Sequence, residues 1–447
     1  MAEITHVIKR SGAIVPFRKE RISNAIYRAA VAVGGRDKDK AAELADQVVK
    51  LLKENCPEGC IPHIEEIQDL VEKVLIENGH AKVAKEYILY RKEAAERREA
   101  SAKKASHPSE NIPWAKIHRV LDRTVTLGLH TIENINNRIE KGEFPHIVHE
   151  SESAYDEDIS TAADMIIGRA DKLKMVLITG PSSSGKTTTT IKLEQKLEKK
   201  GLHFLPLVVD NYFYDLELHP KDEFGDYDFE TPQALDLELI NDHLKKLCAG
   251  EKVFIPYYDF KTGTRYPDRT PLHLKENEIL LIDSLHGMYP PMTEGIPNEQ
   301  KFKLYLEPLM QVKDNKGKFI RWTDIRMMRR MLRDWAFRAY NPQQTLEHWH
   351  YVRSSEMRHI IPYINAADFI INSAMPYELA IYRPKLFDRF IEWTEKFKDD
   401  PLKEDAFIRA VRVRDLLSQV IPVEDDSPVP GDSVIREFIG GSILKYH

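Results

Sequence analysis

The sequence of 447 residues predicts an α/β protein: a parallel sheet with helices on both faces, preceded by a small, mostly helical domain. The first observation is an alternation from residue 172 onward, where short apolar runs such as KMVLITG, EILLID and ADFIIN are separated by helical stretches. Such alternation is typical of parallel strands joined by crossover helices. The second observation is the N-terminal pattern, in which apolar residues recur three or four positions apart through successive segments.

Composition places the chain among ordinary globular proteins. Hydrophobic residues make up 42% and charged residues 30%, and the net charge of −6 argues against a protein built wholesale to bind nucleic acid. No apolar run approaches the roughly 20 residues that a membrane span needs, and the N-terminus has no apolar signal core. Three cysteines do not make a disulfide framework. We therefore expect a cytoplasmic protein without nucleic-acid or membrane partners, and we also expect a homo-oligomer.

The elements of the N-terminal domain follow in order from the sequence pattern. The stretch ITHVIKRSGAIVPF alternates around Ser11-Gly12, which predicts a hairpin, and four helical patterns follow it. The last pattern becomes charged and alanine-rich, which is typical of an exposed connecting helix. A polar acidic break is predicted at HESESAYDED in the next region. The predicted divisions are a small domain over 1–95, a helical connector over 96–171, a sheet domain over 172–385 and a C-terminal helical extension over 386–447.

A glycine-rich loop stands between a predicted strand and a predicted helix. The stretch from Gly180 to Thr187 fits G-x-x-x-x-G-K-[ST], whose glycines let successive N–H groups turn inward as an anion cradle. Lys186 can reach the β- and γ-phosphates, and the Thr187 hydroxyl can ligate Mg²⁺. The sequence therefore predicts a P-loop NTPase sheet. The candidate nucleotide contacts are Gly180, Pro181, Ser182, Ser183, Ser184, Gly185, Lys186, Thr187 and Thr188.

Two carboxylates follow apolar strand patterns. Asp210 ends FLPLVVD, at the strand edge where ligands of open α/β sheets collect, and a carboxylate there can accept a proton from an attacking hydroxyl. Asp283 ends EILLID, where a second acidic group of P-loop proteins holds Mg²⁺, often through water. The alternative for each residue is a turn or cap aspartate that only ends its strand.

An arginine-rich stretch, RWTDIRMMRRMLRDWAFRAY, follows the strand patterns. Arg326, Arg329, Arg330 and Arg333 recur three or four positions apart on one helical face, with Arg338 further on. A solvated basic helix is the usual explanation for such a run. Because the planar guanidinium suits phosphate oxygens, we favour a catalytic lid over the phosphates.

These pieces in this order resemble the uridine kinase and phosphoribulokinase family over about 172–385. The resemblance rests on GPSSSGKTT, VVDNYFY, YDFETPQALD, YYDFKTGTR, the strand that ends at Asp283 and the arginine-rich stretch. The long bacterial uridine-kinase-like form is the most similar, including the closing PGDSVIREFIGGS. The resemblance implies an ATP- and Mg²⁺-dependent kinase with Asp210 as the base acting on a nucleoside 5′-hydroxyl. It further implies phosphate contacts from Arg329, Arg330, Arg333 and Arg338, a ribose contact from Glu230, and substrate contacts from Tyr212, Tyr258 and Phe260.

This chain departs from the short uridine kinases at three places. Gly263 stands where their base-loop histidine falls, the acidic-Gly pair after the second strand reads Asp283-Ser284, and the ribose loop begins with Glu230. The missing histidine removes a base-reading donor, so pyrimidine specificity is open. A sugar or sugar-phosphate kinase of phosphoribulokinase type is one alternative. A non-catalytic ATPase switch, which would not require a carboxylate at position 210, is the other.

The first domain resembles the ATP-cone family. The resemblance rests on VIKRSGAIVPFRKERISNAIYRAA and VAKEYILYR, and it covers about 90 residues. ATP-cones are small allosteric domains, so the resemblance implies ATP or dATP as an effector. It makes Val7, Lys9, Arg10 and Lys19 candidate nucleotide contacts. The alternative is that these are only solvated residues of a helical domain.

Overall fold

The computed structural model describes residues 4–8, 14–55, 61–91, 112–220, 227, 231–337 and 341–445. The chain divides into two compact units. The first consists of Met1–Ser109 with Lys396–Glu404, and the second consists of Glu110–Glu395 with Asp405–His447. Within the described ranges, no helix combines the length and the apolarity that crossing a bilayer requires.

The first unit contains the predicted hairpin and helices. Strands β1 (His6–Ile8) and β2 (Ile14–Pro16) pair antiparallel, which confirms the hairpin, although its Ser11-Gly12 turn lies outside the described residues. Arg28 donates from Nε to the Pro401 carbonyl oxygen at 2.8 Å and forms an ion pair with Glu404, so residues far apart in the chain close this unit. The helices are α1 (Glu20–Ala32), α2 (Lys38–Asn55), α3 (Ile64–Glu77) and α4, which is described over 81–91.

The second unit is built on a five-stranded parallel sheet, as predicted. The strands of the second unit are β3 (Met175–Thr179), β4 (His203–Pro206), β5 (Val253–Asp259), β6 (Thr264–Leu272), β7 (Glu278–Asp283), β8 (Lys301–Glu307) and β9 (Phe369–Asn372). The sheet order is β4-β7-β3-β8-β9, and every pairing is parallel. The central strand β3 is buried throughout because helices cover both faces of a parallel sheet. Strands β5 and β6 form a separate antiparallel hairpin, which the sequence patterns did not predict.

Helices pack around this sheet, and the division of the chain into a connector and a C-terminal extension stays a prediction. The helices are α5 (Trp114–Thr126), α6 (Ile132–Glu140), α7 (Phe144–Ile167), α8 (Lys186–Glu198), α9 (Leu237–Cys248), α10 (Trp322–Phe337), α11 (Pro342–His359), α12 (Glu378–Phe397), α13 (Glu404–Leu417) and α14 (Arg436–Ile439). The last residues of α12 and the first of α13 belong to the first unit.

The acidic break predicted at HESESAYDED is wrong, because α7 continues through it without interruption. Ser151, Tyr155 and Ile159 are buried at a four-residue spacing, so one side of the helix stays against the core. The acidic residues fall between these positions. The local run of charge therefore does not end the helix, because the residues buried along its other side stabilise it against the core.

Candidate active site

The glycine-rich loop joins the buried end of β3 to the first turn of α8. Ser183 and Gly185 adopt left-handed backbone conformations, with φ of 60° and 93°. A Cβ at Gly180 would lie 2.4 Å from the Leu306 carbonyl oxygen, and one at Gly185 would lie 2.3 Å from Val434 Cγ2. Glycine is therefore required here for close packing as well as for turning the chain.

The donors of this loop suit an anionic ligand. Lys186 Nζ donates to the Gly180 carbonyl oxygen at 2.9 Å, so the ammonium group lies folded over the loop. The first N–H groups of a helix lack intrahelical acceptors and carry a partial positive charge, which favours phosphate at this end of α8. The Ser183 and Ser184 hydroxyls are buried, and neither has a hydrogen-bond partner in the described part of the chain. This donor set fits the phosphates of ATP.

Asp283 lies at the end of β7, next to β3 in the sheet, and its register partner is Ile178. Burial raises the pKa of Asp283 to about 6; Lys186 acts to lower this pKa, while Glu437 and Asp210 act to raise it. These four charged groups therefore lie close enough to interact. The half-buried Asp283 carboxylate and the Thr187 hydroxyl at the start of α8 are oxygen ligands of the kind that Mg²⁺ prefers.

Asp210 does not end a strand as the sequence pattern suggested. Strand β4 stops at Pro206, and Asp210 lies in a 3₁₀ turn, Val209–Tyr212, that follows the strand. Desolvation raises the pKa of Asp210 even though part of the residue is exposed, and Lys186 acts to lower this pKa. The turn thus brings an accessible carboxylate into the field of Lys186, where it can meet a substrate hydroxyl.

Two of the predicted lid arginines are buried beneath the loop. Arg326 pairs with Glu307 at 2.9 Å and with Glu356, and it donates to the Ser182 carbonyl oxygen at 3.1 Å. Arg329 makes a bidentate pair with Glu378 at 2.8 and 3.0 Å. Both side chains are fully buried.

Every N–H group of the Arg329 guanidinium has an acceptor. Besides Glu378, these acceptors are the Ser373 carbonyl oxygen at 2.7 Å, the Ser373 hydroxyl at 3.3 Å and the Ser184 carbonyl oxygen at 3.5 Å. A phosphate contact from Arg329 would have to replace one of these bonds. The predicted catalytic role of Arg329 therefore stays a prediction. In the structure, this side chain supports the phosphate loop through its hydrogen bond to the Ser184 carbonyl oxygen.

Two further arginines of α10 lie toward the loop. Arg330 Nη1 is 3.4 Å from the Ser182 hydroxyl oxygen, and Arg333 Nη1 is 3.5 Å from Glu437 Oε1. Arg338 lies outside the described residues. Arg330 and Arg333 are thus the described members of the predicted set with side chains placed at the surface of the loop.

The predicted substrate aromatics lie in the 3₁₀ turn of Asp210 and in the hairpin of β5 and β6. Tyr212 is buried, and its hydroxyl lies 2.9 Å from His243 Nδ1. Tyr258 is also buried and lies parallel to His219, with ring centroids 6.1 Å apart, whereas Phe260 is 60% exposed. Substrate contacts from these three predicted residues stay predictions, as does the contact from Glu230, which lies outside the described residues.

Gly263 has a structural reason to lack a side chain. Its φ is 67°, and a Cβ there would lie 2.7 Å from Leu216 Cβ. The Gly263 carbonyl oxygen also accepts the Leu216 N–H at 2.8 Å, which fixes the turn between β5 and β6. A histidine at this position would be strained and would clash, so any base-reading donor in this chain must come from another position.

Sequence reasoning missed a contribution from α14. Glu437 Oε2 accepts from the Thr188 hydroxyl at 2.9 Å, across a separation of 249 residues. Thr188, a predicted nucleotide contact, is fully buried. The closing PGDSVIREFIGGS was noted only as part of a resemblance, and no local pattern indicates which of its residues meets the loop.

The candidate effector residues lie in the first unit. Val7 is buried in its core, and Lys19 Nζ forms an ion pair with Asp46 Oδ1 at 2.8 Å that raises the pKa of Lys19. Lys9 and Arg10 lie outside the described residues. Nucleotide contacts from these four residues stay predictions.

Comparison with known proteins gives two family matches. Residues 5–96 match the model of the ATP cone domain, and residues 175–379 match that of the phosphoribulokinase / uridine kinase family. A uridine kinase of Chloroflexus aurantiacus is 26% identical over 194 residues, which are 43% of this chain and 83% of that protein. A uridine kinase of Bacillus pumilus is 28% identical over 205 residues, which are 46% of this chain and 88% of that protein. A solved structure titled as a possible uridine kinase from Bacillus stearothermophilus covers 48% of this chain and 98% of its own, with 17% identity and a TM-score of 0.34.

Proposed function

Because residues 175–379 belong to the phosphoribulokinase / uridine kinase family and residues 5–96 form an ATP-cone domain, we propose that this kinase phosphorylates a nucleoside. The acceptor is the 5′-hydroxyl of uridine, cytidine or a similar nucleoside, and the donor is ATP. The observation that carries the proposal is that Asp210 and Asp283 follow two neighbouring strands, β4 and β7, and that Lys186 interacts electrostatically with both. This arrangement combines a phosphate-binding cation, a base and a metal ligand.

The chemistry is an in-line transfer of the γ-phosphoryl group. The acceptor oxygen forms a bond to the γ-phosphorus, the bond to the β-phosphate oxygen breaks, and the hydroxyl proton passes to the Asp210 carboxylate. Lys186, Arg330 and Arg333 offset the negative charge of the transferring group. A Mg²⁺ ion held by Thr187 and, through water, by Asp283 would neutralise charge on the β- and γ-phosphate oxygens.

Two observations support a nucleoside as the acceptor: the names of the similar proteins and the aromatic residues near Asp210. The similar proteins of Chloroflexus aurantiacus and Bacillus pumilus are named uridine kinases, which supports a nucleoside. The exposed ring of Phe260 beside Tyr258 offers a surface on which a base can stack. Since Gly263 offers no donor, we expect weaker discrimination among bases than a histidine would provide.

An acceptor screen tests the proposal directly. The purified full chain would be incubated with ATP and Mg²⁺ and, in turn, with nucleosides, pentoses, sugar phosphates or no acceptor, and both ADP and the phosphorylated product would be measured. We expect ADP formation coupled to a nucleoside 5′-monophosphate. ATP hydrolysis at one rate with every acceptor would support the ATPase switch instead. If only sugars or sugar phosphates give a phosphorylated product, the acceptor is a sugar and not a nucleoside.

The Asp210→Asn variant tests the assigned base. We expect kcat to fall by about 10²-fold or more, since general-base catalysis is typically worth about 10²–10⁴. ATP affinity should change little, because the amide keeps the size of the side chain. The matched control is Asp242→Asn on the exposed face of α9, which should keep wild-type kinetics. An unchanged kcat with a raised KM for ATP would show that Asp210 is not the base.

A further inference from the structure

The C-terminal segment, defined here as residues 429–443, packs directly against the phosphate loop. Val434 Cγ2 occupies the space that a Cβ at Gly185 would enter, and the Phe438 ring centroid is 5.2 Å from Arg329 Cζ. Both Val434 and Phe438 are fully buried. This segment lies beyond the family match, which ends at residue 379. The loop is therefore completed by a part of the chain that lies outside the matched residues.

Polar contacts fix the C-terminal segment in place. Arg436 donates to the Asp426 carbonyl oxygen at 2.7 Å and to the Val429 carbonyl oxygen at 2.8 Å. Lys192 of α8 pairs with Asp432 at 2.9 Å. These bonds tie α14 to the loop that precedes it, and they tie that loop to the helix that follows the phosphate loop. The side chains of α14 are consequently held in defined positions.

Glu437 lies between the start of α8 and Arg333 of α10. Its Oε2 accepts from the Thr188 hydroxyl at 2.9 Å and from the Thr188 N–H at 3.3 Å. Its Oε1 lies 3.5 Å from Arg333 Nη1. The carboxylate is 7% exposed, so its attraction to the guanidinium is weakly screened by water. One buried anion thus links the helix of the phosphate loop to a cation that can serve the phosphates.

We propose that Glu437 is a positioning residue that holds the Arg333 guanidinium beside the phosphate loop, ready for the transferring phosphoryl group; this inference rests on the proposed kinase function. A long arginine side chain loses rotamer freedom when it is fixed, and Glu437 would meet that cost before ATP binds. Fixing Arg333 in advance should therefore stabilise the transition state of the transfer more than it stabilises bound ATP.

The position of the carboxylate gives the inference a distinctive kinetic signature. A negative charge at the start of α8 repels phosphate, so neutralising Glu437 should leave ATP affinity unchanged or raise it. The same change releases Arg333 and should slow the transfer. We therefore expect kcat and KM to respond differently, whereas a merely disrupted fold would weaken ATP binding as well.

The test measures steady-state kinetics and ATP affinity of the full chain with the isosteric variant Glu437→Gln. We expect kcat about tenfold lower, with the dissociation constant for ATP unchanged or lower. In an Arg333→Gln background, the same change should cost less than about twofold, since Glu437 acts through Arg333. The control, Glu424→Gln at an exposed position of the same C-terminal region, should match the wild type.

A second variant keeps the test decisive if Glu437→Gln does not fold. Thr188→Val has the same size and removes the hydroxyl that anchors Glu437, so it should lower kcat in the same direction. Wild-type kcat in either folded variant, an equal loss with and without Arg333, or weakened ATP binding by Glu437→Gln would overturn the inference. If the wild type turns over a nucleoside in these experiments, the proposed kinase function holds even when the role of Glu437 is overturned. A wild type that is inactive with every acceptor would contradict both proposals.

Discussion

Lys186 is the residue on which the other charged groups of the site depend. Its ammonium group donates to the Gly180 carbonyl oxygen at 2.9 Å, and it opposes the burial that raises the pKa of both Asp210 and Asp283. One cation therefore acts on both carboxylates of the candidate site. Its position follows from the loop itself, which is why the sequence motif alone was enough to predict it.

Replacing Lys186 by alanine should abolish phosphoryl transfer while the fold persists. We expect kcat to fall by at least about 10²-fold, which is the usual effect of removing one stabilising donor from a transition state. The matched control is Lys199→Ala at the exposed end of α8, which should leave kcat unchanged. Near-normal turnover of Lys186→Ala, with ATP binding intact, would contradict the assignment of the phosphate loop.

Asp283 predicts a dependence of stability on pH. Its pKa of about 6 is above the roughly 3.9 of an unfolded chain, so the folded protein binds more protons between these values. The contribution of Asp283 to the free energy of unfolding therefore falls as pH rises from about 4 to about 6. Above pH 6 the ionised carboxylate is a net cost to the fold in the absence of metal and nucleotide.

The Asp283→Asn variant should consequently be more stable than the wild type at pH 7. We expect the free energy of unfolding to rise by about 1–3 kcal/mol at pH 7, and the difference to shrink as pH falls toward 5. Urea unfolding with EDTA would be followed by tryptophan fluorescence, because all five tryptophans lie in the second unit. A variant less stable than the wild type at pH 7 would show that the carboxylate stabilises the fold instead.

At the scale of elements, α10 shows what a sequence pattern can and cannot predict. The helix itself and the strands of the sheet follow from local apolar patterns, which is why they were predicted. The burial of Arg326 and Arg329 does not, since it depends on Glu307, Glu356 and Glu378 from other elements. Spacing alone made all the arginines equivalent, and only the packed structure separates those beneath the loop from those beside it.

The two sets of arginines should differ in their effect on stability. Arg329→Met leaves the buried Glu378 carboxylate without its partner, and we expect a loss of about 3–5 kcal/mol in the free energy of unfolding. The matched control is Arg321→Met, at an exposed position just before α10, which should change stability by less than about 0.5 kcal/mol. Urea unfolding followed by tryptophan fluorescence measures both. Equal, small effects would show that Arg329 is not a structural residue.

At the scale of the whole molecule, contacts between distant parts of the chain limited what the sequence could predict. The individual strands, the phosphate loop and the N-terminal helices have local sequence patterns, and these patterns predicted them. Glu437 beside Thr188, and Pro401 beside Arg28, depend on tertiary closure and left no local signal. The second of these contacts also bears on experiments, because a fragment that ends near residue 105 would lack part of the first unit.

The effector role of the ATP-cone domain should therefore be tested on the full chain. We expect calorimetry to find two adenine-nucleotide sites per chain in the wild type and one in a Lys9→Ala, Arg10→Ala variant. If the sites are coupled, filling one should change the affinity of the other by about 5–150-fold, which corresponds to about 1–3 kcal/mol. The double variant should keep the wild-type kcat but lose the dependence of its kinetics on dATP, because its phosphate loop is untouched. The control is Lys82→Ala, at an exposed position of α4, which should keep both sites. A single site in both the wild type and the double variant would reduce the ATP-cone domain to a structural module without an effector site.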